Sequence, residues 1–206
     1  MRAVDIRQAF GASPQVMTEI LQEGVNLAVW QRRLPAQVED FAALVLSLGQ
    51  TLTDERVIEV DERQPPRLPG LLRETQDLHG YDGFVADVCW LVAAYTCLLG
   101  ARRVGLRLRV LDSAMCPRFH VDHVPLRLLS SYAGAGSEWL EEAAIDRSRL
   151  LGDQPSVDNI RRLAVGDVAL LKGEKWHGNE GAGLIHRSPQ ASSNERRLLL
   201  SLDWLA

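Results

Sequence analysis

From Val104 to Val110 the chain alternates strictly: Val104, Leu106, Leu108 and Val110 are apolar, and Gly105, Arg107 and Arg109 stand between them. Successive strand side chains point to opposite faces, so a period of two predicts a strand with one apolar and one basic face. Such a strand cannot stand alone, because its apolar face needs a covering layer and its backbone needs neighbours. Three later stretches predict those neighbours: "VPLRLLSSYAG", "GDVALLKG" (opened by a Gly-Asp turn and closed by Gly173) and the terminal "RRLLLSLDWL". In the last, Arg196, Leu198, Leu200, Leu202 and Trp204 share one face, and Arg197, Leu199, Ser201 and Asp203 the other.

The first hundred residues follow a different period. "SPQVMTEILQEG" reads as a helix with Ser13 as N-cap, Pro14 at the first helical position and Gly24 as its stop. "PAQVEDFAALVLSLG" carries apolar residues at helical spacing from Val38 to Leu48. "RVIEVDE" alternates briefly as a strand, "QPPRLPG" breaks the chain, and two more helical segments follow. The second contains Phe84 to Leu99, whose apolar run is interrupted by Asp87 and too short to span a bilayer core, so a buried helix is expected. The stretch "SEWLEEAAIDRSRLLGDQPS" fits a helix or a strand with a loop equally well. The fold class expected is α+β, with a mainly helical part over residues 1–100 packing on a β core over 101–206.

Composition narrows the function classes. Of 206 residues, 46% are hydrophobic and 24% charged, as in an ordinary soluble domain. A formal net charge of -4 leaves no basic footprint, so neither nucleic acid nor a membrane is an expected partner. Cys89, Cys97 and Cys116 do not make a disulfide framework, and "MRAVDIRQAF" lacks the apolar core of a signal peptide. The expected location is cytoplasmic, and the expected partner a small-molecule or protein substrate.

One segment concentrates chemistry. "CPRFHVDH", Cys116 to His123, holds a thiol, two imidazoles and a carboxylate in eight positions. On an extended strand His120 and Asp122 face one way and His123 the other. A nitrogen and an oxygen from one strand, completed by one distant histidine, form the two-histidine, one-carboxylate set that holds Fe(II) with positions left open. His177, in "KGEKWHGNEG", and His186, in "GLIHRSP", compete for the third place. His186 is favoured, because a strand fixes a ligand more tightly than a glycine-rich loop. Cys116 pulls the other way: a soft thiolate suits zinc, and Cys116, His120, His123 and His177 would close a structural zinc site. That arrangement leaves Asp122 unexplained and asks Pro117 to bend the chain; the alternative for Cys116 is a small thiol beside the site. Trp139 and Trp176 either wall a substrate pocket or pack as ordinary core.

These residues resemble the iron(II)/2-oxoglutarate dioxygenase superfamily over Val104 to Leu205. The likeness rests on a His-x-Asp pair opening "HVDHVPLRLLSSYAG", the Gly-Asp-led strand "GDVALLKG", the distal histidine of "GLIHRSP" and the basic "RRLLLSLDW" about ten residues later. The resemblance implies a double-stranded β-helix (jelly-roll or cupin-like) core that binds Fe(II) through His120, Asp122 and His186, takes 2-oxoglutarate as cosubstrate and hydroxylates a C–H bond. It also implies a basic residue for the far carboxylate of 2-oxoglutarate. Strand parity selects Arg197 over Arg196, with Ser201 adding a hydrogen bond and Arg187 as another candidate. The departure from the superfamily pattern is Leu199, which stands where a Ser or Thr follows the arginine by two residues. The whole chain also resembles an uncharacterised bacterial domain-of-unknown-function family with "CPRFHVDHVPLRLL" as its hallmark. That likeness keeps zinc as the alternative metal, in a non-catalytic module of metal homeostasis.

Overall fold

A computed structural model describes residues 5–205 apart from residues 62, 143, 145, 151, 153–156 and 191–194. In chain order its elements are β1 (Arg7–Gly11), a 3₁₀ segment Pro14–Leu21, β2 (Val25–Trp30), α1 (Ala36–Ser47), β3 (Thr53–Glu59), α2 (Tyr81–Leu99), β4 (Arg103–Leu111), β5 (Leu126–Ala133), β6 (Glu138–Leu140), β7 (Ile160–Arg162), β8 (Val168–Lys172), β9 (His186–Arg187) and β10 (Arg197–Leu205). The fold is α+β. Its larger sheet has the order β1-β2-β8-β5-β10-β4-β3, and a smaller one the order β7-β6-β9. Only the β1–β2 pair is parallel; the other ladders are antiparallel.

All four strands expected after Gly100 are present, as β4, β5, β8 and β10. The mainly helical reading of residues 1–100 needs correction. β1, β2 and β3 belong to the same large sheet as β4 and β10, so the change of period at Gly100 does not separate helices from strands. β2 escapes the period-of-two test because "VNLAVW" is buried on both faces and shows no alternation. The segment after Ser13 is wound as 3₁₀, with Pro14 at its start as expected. Of the ambiguous stretch after Ser137, Glu138–Leu140 is a strand and Arg147–Arg149 a 3₁₀ turn; residues 143, 145, 151 and 153–156 lie outside the described residues.

The large sheet separates two apolar layers. One face packs Val168, Leu170, Leu198, Leu200 and Leu202 against Phe41 and Val45 of α1 and Phe84, Val88 and Leu91 of α2. The other face sets Leu27, Val29, Leu129, Ala169 and Leu171 against Trp139, Leu163 and Leu184, in or beside the small sheet. Each full side-chain burial of this kind contributes about 1.5–3 kcal/mol. α2 is long and apolar enough, by length and composition alone, to cross a membrane; its Phe84, Val88, Leu91 and Tyr95 lie in the core. Asp87, the charge inside that apolar run, is held by Arg32 at 2.6 and 2.8 Å and by the Tyr132 hydroxyl at 2.6 Å. A charge buried among apolar side chains persists only when paired in this way.

Candidate metal centre

His120 and His186 are opposite each other in an isolated antiparallel bridge, each backbone N–H donating to the other's carbonyl at 3.0 Å. On its other side His186 pairs with Trp139 of β6, so the backbone around it is tied from both directions. Directly opposed residues present their side chains to the same face, and the two imidazole rings lie 4.7 Å apart. The ring planes are tilted by 46°, but each ring is held by the same kind of contact. His120 Nδ1 lies 3.0 Å from the Arg118 carbonyl and His186 Nδ1 3.1 Å from that of Leu184. A proton on each Nδ1 donates to that carbonyl and turns Nε2 outward, the arrangement that prepares a histidine as a metal ligand.

Both Nε2 atoms point at Asp122: His120 Nε2 is 3.6 Å from Oδ1 and His186 Nε2 is 3.4 Å from Oδ2. One donor atom from each of the three residues lies within 4.8 Å of the other two. Close approach of the chain around Asp122 depends on Gly173, where a Cβ would come within 2.1 Å of the Val124 carbonyl and 2.6 Å of the Asp122 carbonyl.

Asp122 is itself clamped. Arg127 donates to Asp122 Oδ2 at 2.7 Å through Nη1, while its Nε donates to Asp203 Oδ1 at 2.7 Å; Asp203 also pairs with Arg107. Burial opposes the charge on Asp122. The imidazoles of His120 and His186 beside it and the Arg127 charge outweigh it and hold the carboxyl well below the usual carboxylate range. The neighbouring Asp122 carboxylate in turn raises His120, against the opposing effect of burial.

The imidazoles open into a cavity of about 100 Å³. Arg197 lines it too, on β10 with Leu199 and Ser201, while Leu198, Leu200 and Leu202 are buried on the helix side. The parity expected for the terminal strand is the parity observed. Arg196 faces away from the cavity, with Nη1 3.8 Å from where a Gly49 side chain would begin. Arg197 is only 6% exposed: its Nη2 donates to Ser188 Oγ at 3.1 Å, and its Nη1 has no hydrogen-bond partner. Burial pushes its guanidinium down to about 10.

The remaining sequence candidates fall elsewhere. His123 and His177 are exposed, and among the described residues no metal-binding group of three includes them or Cys116. Cys116 lines the cavity. Arg187 is taken by Glu138 at 2.7 Å, its guanidinium lying 4.3 Å from the centre of the Phe119 ring. Trp139 packs in the apolar layer between the sheets, and Trp176 lies against Trp204. Sequence reasoning missed Arg127, Asp203 as its partner, and Ser188. Arg127 had a signal: it is the single charge in the apolar run "PLRLL", five residues after Asp122.

The model of the family described as "Protein of unknown function (DUF1826)" matches residues 11–203. The chain belongs to that family. No curated protein sequence matches this member. Among solved structures, it is similar to a dioxygenase for auxin oxidation in rice, at 14% identity and a TM-score of 0.51, covering 98% of this chain and 83% of the other. A bsmA homologue from Methylobium petroleophilum PM1 is similar at 13% identity and a TM-score of 0.51, over 100% of this chain and 97% of the other. An oxidoreductase of the 2OG-Fe(II) oxygenase family from Burkholderia pseudomallei aligns at 15% identity with a TM-score of 0.41, over 96% of this chain and 95% of the other. At these identities the first two likenesses show a shared, oxygenase-like fold.

Proposed function

We propose that this DUF1826 member is an iron(II)/2-oxoglutarate-dependent oxygenase-like protein, built on a double-stranded β-helix core. His120, Asp122 and His186 would hold the metal, and Arg197, supported by Ser188 and Ser201, the far carboxylate of 2-oxoglutarate. The observation that carries this reading is the unpartnered Nη1 of Arg197, buried in the same cavity that the two imidazoles enter. A buried guanidinium without an anion is costly, and a carboxylate is the group its planar fork fits bidentately. The donor set fits the metal as well: two imidazole nitrogens and one carboxylate oxygen are the ligands of ferrous sites that keep positions open.

Iron bound there would supply oxygen activation coupled to oxidative decarboxylation of the keto acid. The protein's own part is positional. The backbone carbonyls of Arg118 and Leu184 fix the tautomers of His120 and His186. Arg127 occupies one carboxylate oxygen of Asp122 and leaves Oδ1 for a ligand bond. Ser188 offers Arg197 the hydroxyl that Leu199 lacks, from the residue just after β9. Leu129 and Leu199 line the cavity and keep water from the pair. The zinc module keeps no comparable support, since its additional ligands His123 and His177 are exposed.

The test is metal and keto-acid binding without oxygen. Anaerobically purified protein should take up one Fe(II), and 2-oxoglutarate should then produce a visible charge-transfer band. Stoichiometric zinc that 2-oxoglutarate neither perturbs nor stabilises would reject the oxygenase reading.

A further inference from the structure

The small sheet covers only part of one face of the large sheet. Its apolar contacts are with β1 through Phe10, with β2 and β8, and with β5 through Leu129, and they reach β10 at Leu199. Beyond that line the same face continues over β4 and β3. Arg107 is paired with Glu55 and Ser201 in register, Arg109 with Thr53 and Leu199, and Gly105 with Val57. This part is open: Val57 is 55% exposed, and the side chains of Arg107 and Glu55 are 36% and 44% exposed. It is also continuous with the metal cavity, which Arg107 and Arg109 line.

The charges on this shelf do not balance. Arg107 and Arg127 share Asp203, and Arg109 has Glu55, at the rim. Asp122 serves the proposed metal, and Arg197 the proposed cosubstrate. Asp122 also accepts from Arg127 at 2.7 Å; with Asp122 counted to the proposed metal, three guanidinium groups face two carboxylates, one positive charge in excess. Arg107 is pushed down by burial and by repulsion from Arg127 and Arg109, strain that an added anion relieves. The apolar part of the opening is supplied by Met115, whose sulfur lies 3.5 Å from Arg109 Nη1, and by Leu199.

We infer that the substrate is a small organic anion whose carboxylate or phosphate is gripped by Arg107 and Arg109, with its apolar part against Met115 and Leu199. This rests on the oxygenase reading, because the shelf borders the cavity that His120 and His186 enter. Guanidinium forks on neighbouring positions match the oxygens of either head group, and the partly enclosed cavity strengthens the attraction over that at an open surface.

The test uses full-length protein loaded with Mn(II) and saturating 2-oxoglutarate, without oxygen, at constant ionic strength. Acetate and methyl phosphate are the probes, and acetamide the neutral control. Either anion should raise the melting temperature while acetamide does not, and the stronger of the two identifies the head group. Arg109→Gln should weaken that binding about tenfold, the loss of one charge-assisted hydrogen bond, while keeping Mn(II) and 2-oxoglutarate affinity. Arg107→Gln should show the same loss of anion binding. Anions no better than acetamide on the loaded protein, or undiminished binding in both variants, would overturn this inference alone. Failure of the unsubstituted protein to take Mn(II) or 2-oxoglutarate overturns the oxygenase reading and this inference with it.

Discussion

His120 and His186, sixty-six positions apart, exchange two backbone hydrogen bonds of 3.0 Å and thereby set their imidazoles side by side over Asp122. The candidate ligand pair is thus a cross-strand pair, and its geometry is the geometry of a β-bridge. Its rigidity comes from the backbone rather than from the side chains.

His186→Ala should abolish stoichiometric metal binding, as should His120→Ala and Asp122→Ala, while His177→Ala keeps it. Metal analysis of the purified variants checks this, together with circular dichroism to establish that each is folded. Full occupancy in His186→Ala would remove it from the ligand set.

Arg127 should act on the proposed metal through Asp122. Arg127→Met removes the 2.7 Å bond to Oδ2 and releases Asp203 to Arg107 alone. The loss of such an outer partner typically weakens metal affinity by about 10–100-fold. Competition with a chelator measures it, and an unchanged dissociation constant would show that Asp122 holds its position unaided.

Arg197→Met should separate stability from binding. The substitution removes a buried guanidinium with an unpartnered Nη1, so the metal-free protein should melt at or above the unsubstituted temperature. Binding of 2-oxoglutarate should weaken by about 1.5–3 kcal/mol, the worth of hydrogen bonds to a charged group. Calorimetric titration of the anaerobic metal-loaded protein reads the second effect. Equal affinity in both proteins would place the far carboxylate elsewhere.

The metal-free protein should show a stability maximum in mild acid. The Asp122 carboxyl is lowered from its ordinary 3.8, so its contribution is complete above that value and is lost as pH falls toward the depressed one. His120 is raised from its ordinary 6.5, so its contribution is complete below that value and is lost as pH rises through the raised one. The window for the pair lies between those ordinary values. His120→Ala should flatten the maximum in urea-unfolding curves measured across pH. An unchanged profile would deny the coupling.

Gly173→Ala should disturb the site from a distance. A methyl group there meets the Val124 and Asp122 carbonyls at 2.1 and 2.6 Å, so the segment carrying Asp122 has to shift. Overpacking of this kind costs about 1–3 kcal/mol, and the displaced carboxylate should lower metal affinity as well. Thermal melts with and without metal distinguish the two effects.

Much of the site was legible from residue order. His-x-Asp on an extended segment, a later histidine led by Leu184 and Ile185, and the parity of "RRLLLSLDWL" together name His120, Asp122, His186 and Arg197. These signals are local: they depend on which side of a strand a residue occupies, and a period of two carries that information within a few positions. Strands with one buried face, such as β4, were legible for the same reason. β2 was not, because burial on both faces erases its alternation. Nor were Arg127–Asp203 and Arg197–Ser188, whose partners come from separate segments of the chain. Sequence by itself named the candidate donor residues and the strand faces that carry them. Only the tertiary structure decided that His186 meets His120, that Arg187 is spent on Glu138 while one nitrogen of Arg197 stays unpartnered, and that the large sheet stays open at Val57, Glu55 and Arg107. The reason is physical: pairing between distant strands and the compensation of buried charge depend on which segments are brought together, and no local period encodes that.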